Sequence, residues 1–422
     1  MSRKFVLIVS VACFAIGLLV SNKGLAEKAS KTDSIYKELE LFSDAVSIIR
    51  SDYVEEPQAK DLIYGALKGM LSSLDPYSQF MDPDTYNEMK IETEGEFGGI
   101  GIEITIQDDL LTIITPIDDT PAFEAGLKAG DKIVKIEGEI TRDLTLIDAV
   151  KKLRGKPGTQ VNITILRESE KKLLDFSITR SVIKLESIKK AEIIESGIGY
   201  IRLSEFQEKT QRDLEESLRK LEMEGMKALI LDLRNNPGGL LDSAVDVAGK
   251  FLEEGQVVVS TKGRVENQNL VFKSKNKNRH LDYPLLVLVN GGSASASEIV
   301  AGAMQDLGRG LIMGTKSFGK GSVQTVVPMS DGSAVRLTTS KYFTPNGCSI
   351  HGEGITPDIV VEYEEQPKEE EKKGNDSLKV FEGLVGQEKG AEKKEETRKK
   401  EYDNQVASAI DVLKGIIIYN QK

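Results

Sequence analysis

With 422 residues the chain has room for two to four folded units, and 39% hydrophobic with 29% charged residues is a globular rather than a disordered or fibrous composition. Against 67 Asp plus Glu stand 56 Lys plus Arg, a net charge of -11, so no general basic surface exists to neutralise a phosphate backbone and no nucleic-acid partner is expected. Two cysteines, Cys13 and Cys348, make no disulfide framework, and two histidines, His280 and His351, exclude sites built from several imidazoles.

Arg3 and Lys4 precede an apolar run from Phe5 to Val20, and Gly24 and Ala26 supply small residues for cleavage. This is the pattern of an export signal, with an uncleaved signal anchor as the alternative. The run is short for a relaxed membrane span, which takes about 20 apolar residues. The mature chain is therefore expected outside the cytoplasm, in the periplasm, soluble or tethered to the inner membrane.

From Thr32 to Tyr77, Leu39, Phe42, Val46 and Ile49, then Leu62, Ile63, Ala66, Leu67, Met70 and Leu71 recur at helical spacing. Two amphipathic helices are predicted, the second stopped by Asp75-Pro76. From Glu94 short β-rich runs such as GEFGGIGIEI, LLTIIT, DKIVKIEG and VNITIL alternate with turn residues, while PAFEAGL and TLIDAVKKLRG read as short helices. After Ile183 the strands IGYIRL, ALILDLR, VVVST, PLLVLVN, GLIMGT and AVRLTTSKYF are separated by helices beginning near Gln207, Leu240 and Ser295, which argues for parallel pairing in an α/β unit.

The predicted organisation is a signal segment 1–26, a helical region 27–90, a compact β-rich unit 91–182, an α/β core 183–362, a charged linker 363–400 too poor in large apolar residues to fold alone, and a C-terminal helix 401–422. The fold class is α+β or α/β, multidomain.

Three segments are candidates for chemistry. PLLVLVN runs into GGSASASEIVAGAMQD, a strand, tight turn and helix start that would lift a short nucleophile out of a sheet. Ser293, Ser295 and Ser297 compete for that role, and helix capping or small-residue packing is their ordinary use. In SFGKGSVQ, Lys320 lies between Gly319 and Gly321. A lysine held in an apolar setting drops from its usual value of about 10.4 and becomes a base, although a surface lysine is the commoner case. In DLRNNPGG, the unobstructed amides of Gly238 and Gly239 could donate hydrogen bonds to a developing oxyanion, together with an amide beside the nucleophile such as that of Ala296.

Other signals carry less. GTKSFGKG nearly matches a phosphate loop, but Gly321 stands where Ser or Thr should hold magnesium. The glycines from Gly98 to Gly101 do not fit a dinucleotide fingerprint. Cys348 and His351 are two ligands without a second pair, so no metal and no cofactor is expected. His280 reads as part of a solvated loop, and His351 is left open as a neighbour of the active region.

The segments GALKGMLSSLDPYSQFM, FGGIGIEI, DDTPAFEAGLKAGDKIVKIEG, LRGKPGT, DLRNNPGG, SASASEIVAGAMQD, FGKGSVQ and HGEGITPDIVV together resemble the carboxyl-terminal processing peptidases, or tail-specific proteases, over nearly all of the mature chain. The resemblance implies a serine endopeptidase with Ser295 as nucleophile, Lys320 as base and Gln324 supporting the lysine, and a PDZ domain inserted in a mixed α/β protease core with helical N- and C-terminal segments. Gly98, Gly99, Ile100, Gly101 and Ile102 would then bind the substrate's terminal carboxylate and last side chain while the peptide adds as a strand. Arg154 is a candidate link between PDZ domain and core. Substrates with free, apolar C-termini, a homodimer and a regulatory protein partner are expected. The alternative is a latent or inactive PDZ scaffold that needs a partner for activation.

Overall fold

The computed structural model describes residues 36–107, 110–142, 144–168, 170–275, 280–364 and 402–420. The expected signal segment, and the charged linker beyond residue 364, lie outside them. Among the described residues no helix is long and apolar enough to cross a membrane.

The chain divides into two compact units. The first holds a helix through residues 36–52 (α1), Ala59–Ser72 (α2), Gln79–Met81 (β1) and residues 326–337. α2 ends ahead of Pro76, and the Asp75 carboxylate then turns the chain by accepting the N–H groups of Tyr77 at 2.8 Å and Ser78 at 2.9 Å. β1 pairs antiparallel with residues 334–336. α1 leaves Leu39, Phe42 and Ile49 of its apolar stripe exposed.

The second unit begins with α3 (Pro83–Glu94) and β2 (Glu96–Gly99) and continues into β3 (Ile102–Gln107), β4 (Leu110–Pro116), α4 (Pro121–Glu124), β5 (Lys132–Ile136), β6 (Glu139–Ile140), α5 (Leu146–Leu153), β7 (Gln160–Arg167), β8 (Lys172–Thr179) and β9 (Ser181–Lys184). Its sheet runs β3-β4-β5-β7-β8, which leaves β3 at an edge with α5 packed beside it. Alternation places Val161, Ile163 and Ile165 of β7 in one core with Ile113, Ile133, Ala149 and Leu153. A buried pair, Arg167 with both oxygens of Asp131 at 2.8 and 2.7 Å, closes one end.

The remaining strands are β10 (Ile188–Ile193), β11 (Ile198–Leu203), β12 (Ala228–Asp232), β13 (Val257–Gly263), β14 (Val271–Lys273), β15 (Leu285–Val289), β16 (Leu311–Gly314), β17 (Ser322–Pro328), β18 (Ala334–Phe343) and β19 (Ile359–Val360). The main sheet has the order β10-β11-β12-β15-β16-β19, parallel from β11 onward as the alternation of strands and helices predicted. Both faces are covered, and the period of two divides each strand between them. Leu229 and Leu231 of β12 and Leu285, Val287 and Val289 of β15 face the helices α6 (Thr210–Met223), α7 (Leu241–Gly249) and α8 (Ala296–Asp306). Ala228, Ile230, Leu286 and Leu288 face the last helix, Asn404–Asn420, through its Val406, Ala409, Ile410 and Leu413. The expected C-terminal helix is thus half of the core on that side of the sheet.

His280 differs from the expectation of a solvated loop. It is buried, with Nδ1 2.5 Å from Glu222 and Nε2 3.2 Å from Glu215. Glu215 in turn accepts from the buried Lys250 at 2.6 Å. Two carboxylates on one α-helical face draw the histidine and lysine inward, a tertiary effect that local polarity does not reveal.

Candidate active site

β15 delivers the chain to a turn whose last residue, Ser295, stands as N-cap of α8 with φ 53° and ψ -111°. A left-handed φ at a non-glycine residue is strained and is held by its surroundings. The three serines divide by their bonds. Ser293 Oγ donates to Leu233 O at 2.8 Å and accepts from Asn290 N at 2.9 Å, and Ser297 Oγ donates to Asn236 O at 2.9 Å. Both are fully buried and committed to shaping the turn. Ser295 instead stands at the cap of α8, where it forms a capping box with Glu298.

Glu298, at the third position of α8 and fully buried, organises what surrounds this serine. Its Oε2 accepts the backbone N–H of Ser295 at 2.8 Å and of Lys320 at 2.9 Å. Its Oε1 accepts Gly319 N at 2.7 Å and Ser317 Oγ at 2.6 Å. Ser295 and Lys320 are therefore brought together by one carboxylate, whose charge at a helix N-terminus is also favoured by the helix dipole. Phe318 N donates to Ser293 O at 3.0 Å, a second tie between the two loops. Lys320 itself is half-buried.

The glycines beside Lys320 are required by packing. A Cβ on Gly321 would lie 2.1 Å from His351 N, and one on Gly319, where φ is 90°, 3.3 Å from Gly352 C and Gly354 N. The HGEG turn thus backs the lysine loop, with Gly352 N donating to Gly319 O at 2.9 Å. This puts the backbone of His351 beside the active region. Its Nδ1 is buried without a partner among the described residues.

The third segment approaches Ser295 from β12. Asn236, fully buried, accepts Ala294 N at 3.0 Å and Ser297 Oγ at 2.9 Å on its carbonyl, holding residues on either side of the serine. A Cβ on Gly238 would be 2.8 Å from Ser295 Cβ and 3.0 Å from Ala296 N. Gly238 N, however, donates to Asn236 Oδ1 at 2.9 Å, so Gly238 lends close approach rather than an open donor. Gly239 forms a bridge with Phe206 that uses Gly238 O and Leu240 N and leaves Gly239 N outside it. Ala296, first residue of α8, has no carbonyl of its own helix to bond.

Gln324 lies in β17 and Lys320 in the loop before it, so no helical turn brings them together. Gln324 Nε2 donates to Ser322 Oγ at 2.8 Å and Thr338 Oγ1 at 3.5 Å, and no bond from it reaches Lys320 in this conformation.

The remaining expected site residues gather elsewhere in the unit. Gly99, Ile100, Gly101 and Ile102 line a cavity of about 70 Å³ with Phe97, Val150, Leu153 and Arg154, between edge strand β3 and α5. Gly98 is set apart from it, and Gly98 and Gly99 are paired strand residues opposite Val182 and Ser181 rather than open loop. The backbone passes Gly155 so closely that a Cβ on Gly98 would lie 2.1 Å from Gly155 O. Arg154 stacks its guanidinium 4.4 Å from the centre of the Phe97 ring and binds both oxygens of Glu88 on α3 at 2.6 and 2.5 Å.

Sequence reasoning missed Glu298 and Asn236. The first had a signal, a Ser followed three residues later by Glu at a helix start. The second had none beyond its place in DLRNNPGG.

Residues 197–361 match the model of peptidase family S41, residues 98–178 that of a PDZ domain, and residues 13–85 that of the activating protease CtpB N-terminal domain. The chain is 43% identical to a carboxy-terminal-processing protease of Bartonella bacilliformis over 99% of this chain and 98% of that one. The carboxy-terminal processing protease CtpB of Bacillus subtilis is 39% identical over 77% of this chain and 68% of its own length. Among solved structures, the photosystem II D1 C-terminal processing protease is 31% identical with a TM-score of 0.44, covering 74% of this chain and 85% of that one.

Proposed function

The chain belongs to peptidase family S41, and on that premise we propose that it is an exported C-terminal processing endopeptidase that reads substrate tails with its PDZ domain and cleaves by a Ser295–Lys320 dyad. The observation that carries this is Glu298, which holds the amides of Ser295 and Lys320 on one oxygen while the neighbouring serine hydroxyls are committed elsewhere.

In the mechanism, neutral Lys320 takes the proton of Ser295 Oγ as the oxygen attacks the scissile carbonyl. The oxyanion of the tetrahedral intermediate is received by the N–H groups of Ala296 and Gly239, with Gly238 giving room. Collapse breaks the C–N bond, Lys320 returns the proton to the leaving amine, and water hydrolyses the acyl-enzyme by the same steps in reverse. Gln324 supports the lysine once the loop tightens around substrate. The substrate tail adds along β3, with its carboxylate at the amides of Ile100 and Gly101 and its last side chain beside Ile102 and Val150.

Arg154 is the coupling residue between groove and core. It borders the groove and grips Glu88 of α3, and the end of α3 accepts Glu208 N on Thr93 O at 3.0 Å. The apolar side chains left exposed on α1 favour a homodimer. Export rests on Arg3, Lys4 and the apolar run after them.

A second reading, a latent enzyme that an activating partner switches on, is favoured by one observation. Gln324 Nε2 donates to Ser322 Oγ and Thr338 Oγ1, so its support of the lysine waits on a rearrangement. Both readings are tested by cleavage of an unfolded reporter with an apolar free C-terminus, by the mature protein and its Ser295→Ala and Lys320→Ala variants, with an amidated tail as control. Loss in both variants and weakening by amidation are expected. Cleavage that survives Ser295→Ala would sink the mechanism, and an inert parent that cleaves once a partner is added would establish latency.

A further inference from the structure

One buried guanidinium joins the catalytic turn to the far end of the chain. Arg234 leaves β12 and precedes the turn from Asn235 to Gly239, and it is 6% exposed. Its Nε and Nη2 donate to Asp232 at 2.9 and 2.7 Å, its Nη1 and Nη2 to Asp403 at 3.0 Å each, and its Nη1 to Gln405 Oε1 at 2.8 Å. Every N–H that a guanidinium offers is used. Asp232, fully buried, is completed by the hydroxyl of Tyr200 at 2.7 Å. Burial works against the charge of Arg234, but the carboxylates of Asp232 and Asp403 outweigh it and keep the group ionised. Burial likewise pushes Asp403 up, and Arg234 with the helix amides brings it below the usual carboxylate range. Removing one ion would leave the other buried without its partner.

Asp403 is also the cap of the last helix, accepting Val406 N at 3.0 Å. The same helix start is fastened to residues 361–364, through Gln405 Nε2 to Val361 O at 2.7 Å, Asn404 Nδ2 to Glu362 O at 2.7 Å, and Glu364 N to Asn404 Oδ1 at 3.1 Å. The helix is therefore held by bonds at both neighbours and by its apolar face, independently of the covalent path through the charged linker. From Arg234 the constraint runs forward two residues to Asn236, whose carbonyl holds Ala294 and Ser297, and then to Gly238 against Ser295. Arg234, Asp403 and Gln405 also share the lining of a cavity of about 600 Å³ with Asn290, Gly291 and Gly292, the residues that lead into the serine turn.

We propose that the start of the last helix, Asp403 and Gln405, is a positioning element for the catalytic turn, acting through Arg234, so that the peptidase works only with this helix docked. The proposal rests on Ser295 as nucleophile. A contiguous path is not by itself coupling, so the test must separate alignment from mere stability.

The experiment uses the full chain: the parent, Asp403→Asn, Asp403→Glu and Gln405→Met, each also made with a specific protease site placed near residue 385 so that the linker can be cut before assay. Asn keeps the cap acceptor and removes the charge, and Met keeps the volume of Gln405 and removes both its acceptor for Arg234 and its donor to Val361 O. The expected result for Asp403→Asn is a fall in kcat of roughly tenfold or more with KM within about threefold, unchanged tail-peptide binding and a partial return in Asp403→Glu. Gln405→Met, which leaves the Asp403–Arg234 ion pair in place, should show the same kcat signature at smaller size. The cut parent should keep its activity with the C-terminal fragment co-eluting, and the cut Asp403→Asn should shed the fragment and its activity together. Unchanged kcat in Asp403→Asn and Gln405→Met, or full activity after the fragment has left, overturns the proposal. Cleavage that survives in Ser295→Ala strikes at the nucleophile assignment instead.

Discussion

Gly238 lies against Ser295 so tightly that a methyl group on it would stand 2.8 Å from the serine Cβ and 2.8 Å from Ala294 O. With φ at 110°, the residue also occupies backbone space that side chains avoid. Gly238→Ala should therefore lower kcat by about 100-fold, the scale of losing an oxyanion contact. Steady-state kinetics on a tail-bearing reporter, beside tail-peptide binding that should not change, checks this.

Glu298 is a buried carboxylate with four donors on two oxygens. Glu298→Gln turns an NH₂ group toward N–H groups that then have no acceptor, at a cost of about 2–4 kcal/mol by the penalty for buried unsatisfied donors. Denaturant unfolding should register that loss, and kcat should fall with it because the Ser295 and Lys320 loops lose their common anchor.

Glu215 gives a stability that depends on acid. Burial alone would raise its carboxyl, but bonds from Lys250, His280 and Arg219 hold it at about 2, below the ordinary 4.5. A depressed carboxylate contributes fully above 4.5 and loses its contribution as pH falls toward 2. The melting temperature of Glu215→Gln should sit below that of the parent by a constant margin above pH 4.5, and the two should converge near pH 2. Thermal scans across that window decide it; a margin that persists at pH 2 would mean the ion cluster is not its source.

Val150 is half-buried on the groove side of α5. Val150→Lys can keep its ammonium in water, so folding should survive, but an apolar tail residue loses its contact. A side-chain contact of about 1.5 kcal/mol corresponds to roughly tenfold weaker binding of a free-carboxylate peptide, measurable by calorimetry. Unchanged affinity would place the tail elsewhere.

Much of this architecture was legible because local and global signals agree. The continuous apolar runs ALILD and LLVLV, the helical spacing in 59–72 and the glycine-flanked segments all report local patterns that tertiary packing then keeps. What was not legible depends on pairing between distant residues. The burial of His280 needs Glu215 and Glu222 from the distant helix α6, and the strand pairing of Gly98 and Gly99 needs Val182 and Ser181. Gln324 could be assigned a role by family pattern, yet its bonds to Ser322 and Thr338 follow from β17 beginning where it does.

The left-handed backbone of Ser295 has a consequence for evolution as well as for chemistry. A non-glycine residue in that conformation costs on the order of 1–3 kcal/mol, which glycine does not incur. The variant Ser295→Gly would thus be inert and yet harder to melt than the parent. Drift toward stability at this position leads away from catalysis, so a serine that persists here is kept by what it does and not by how well it fits.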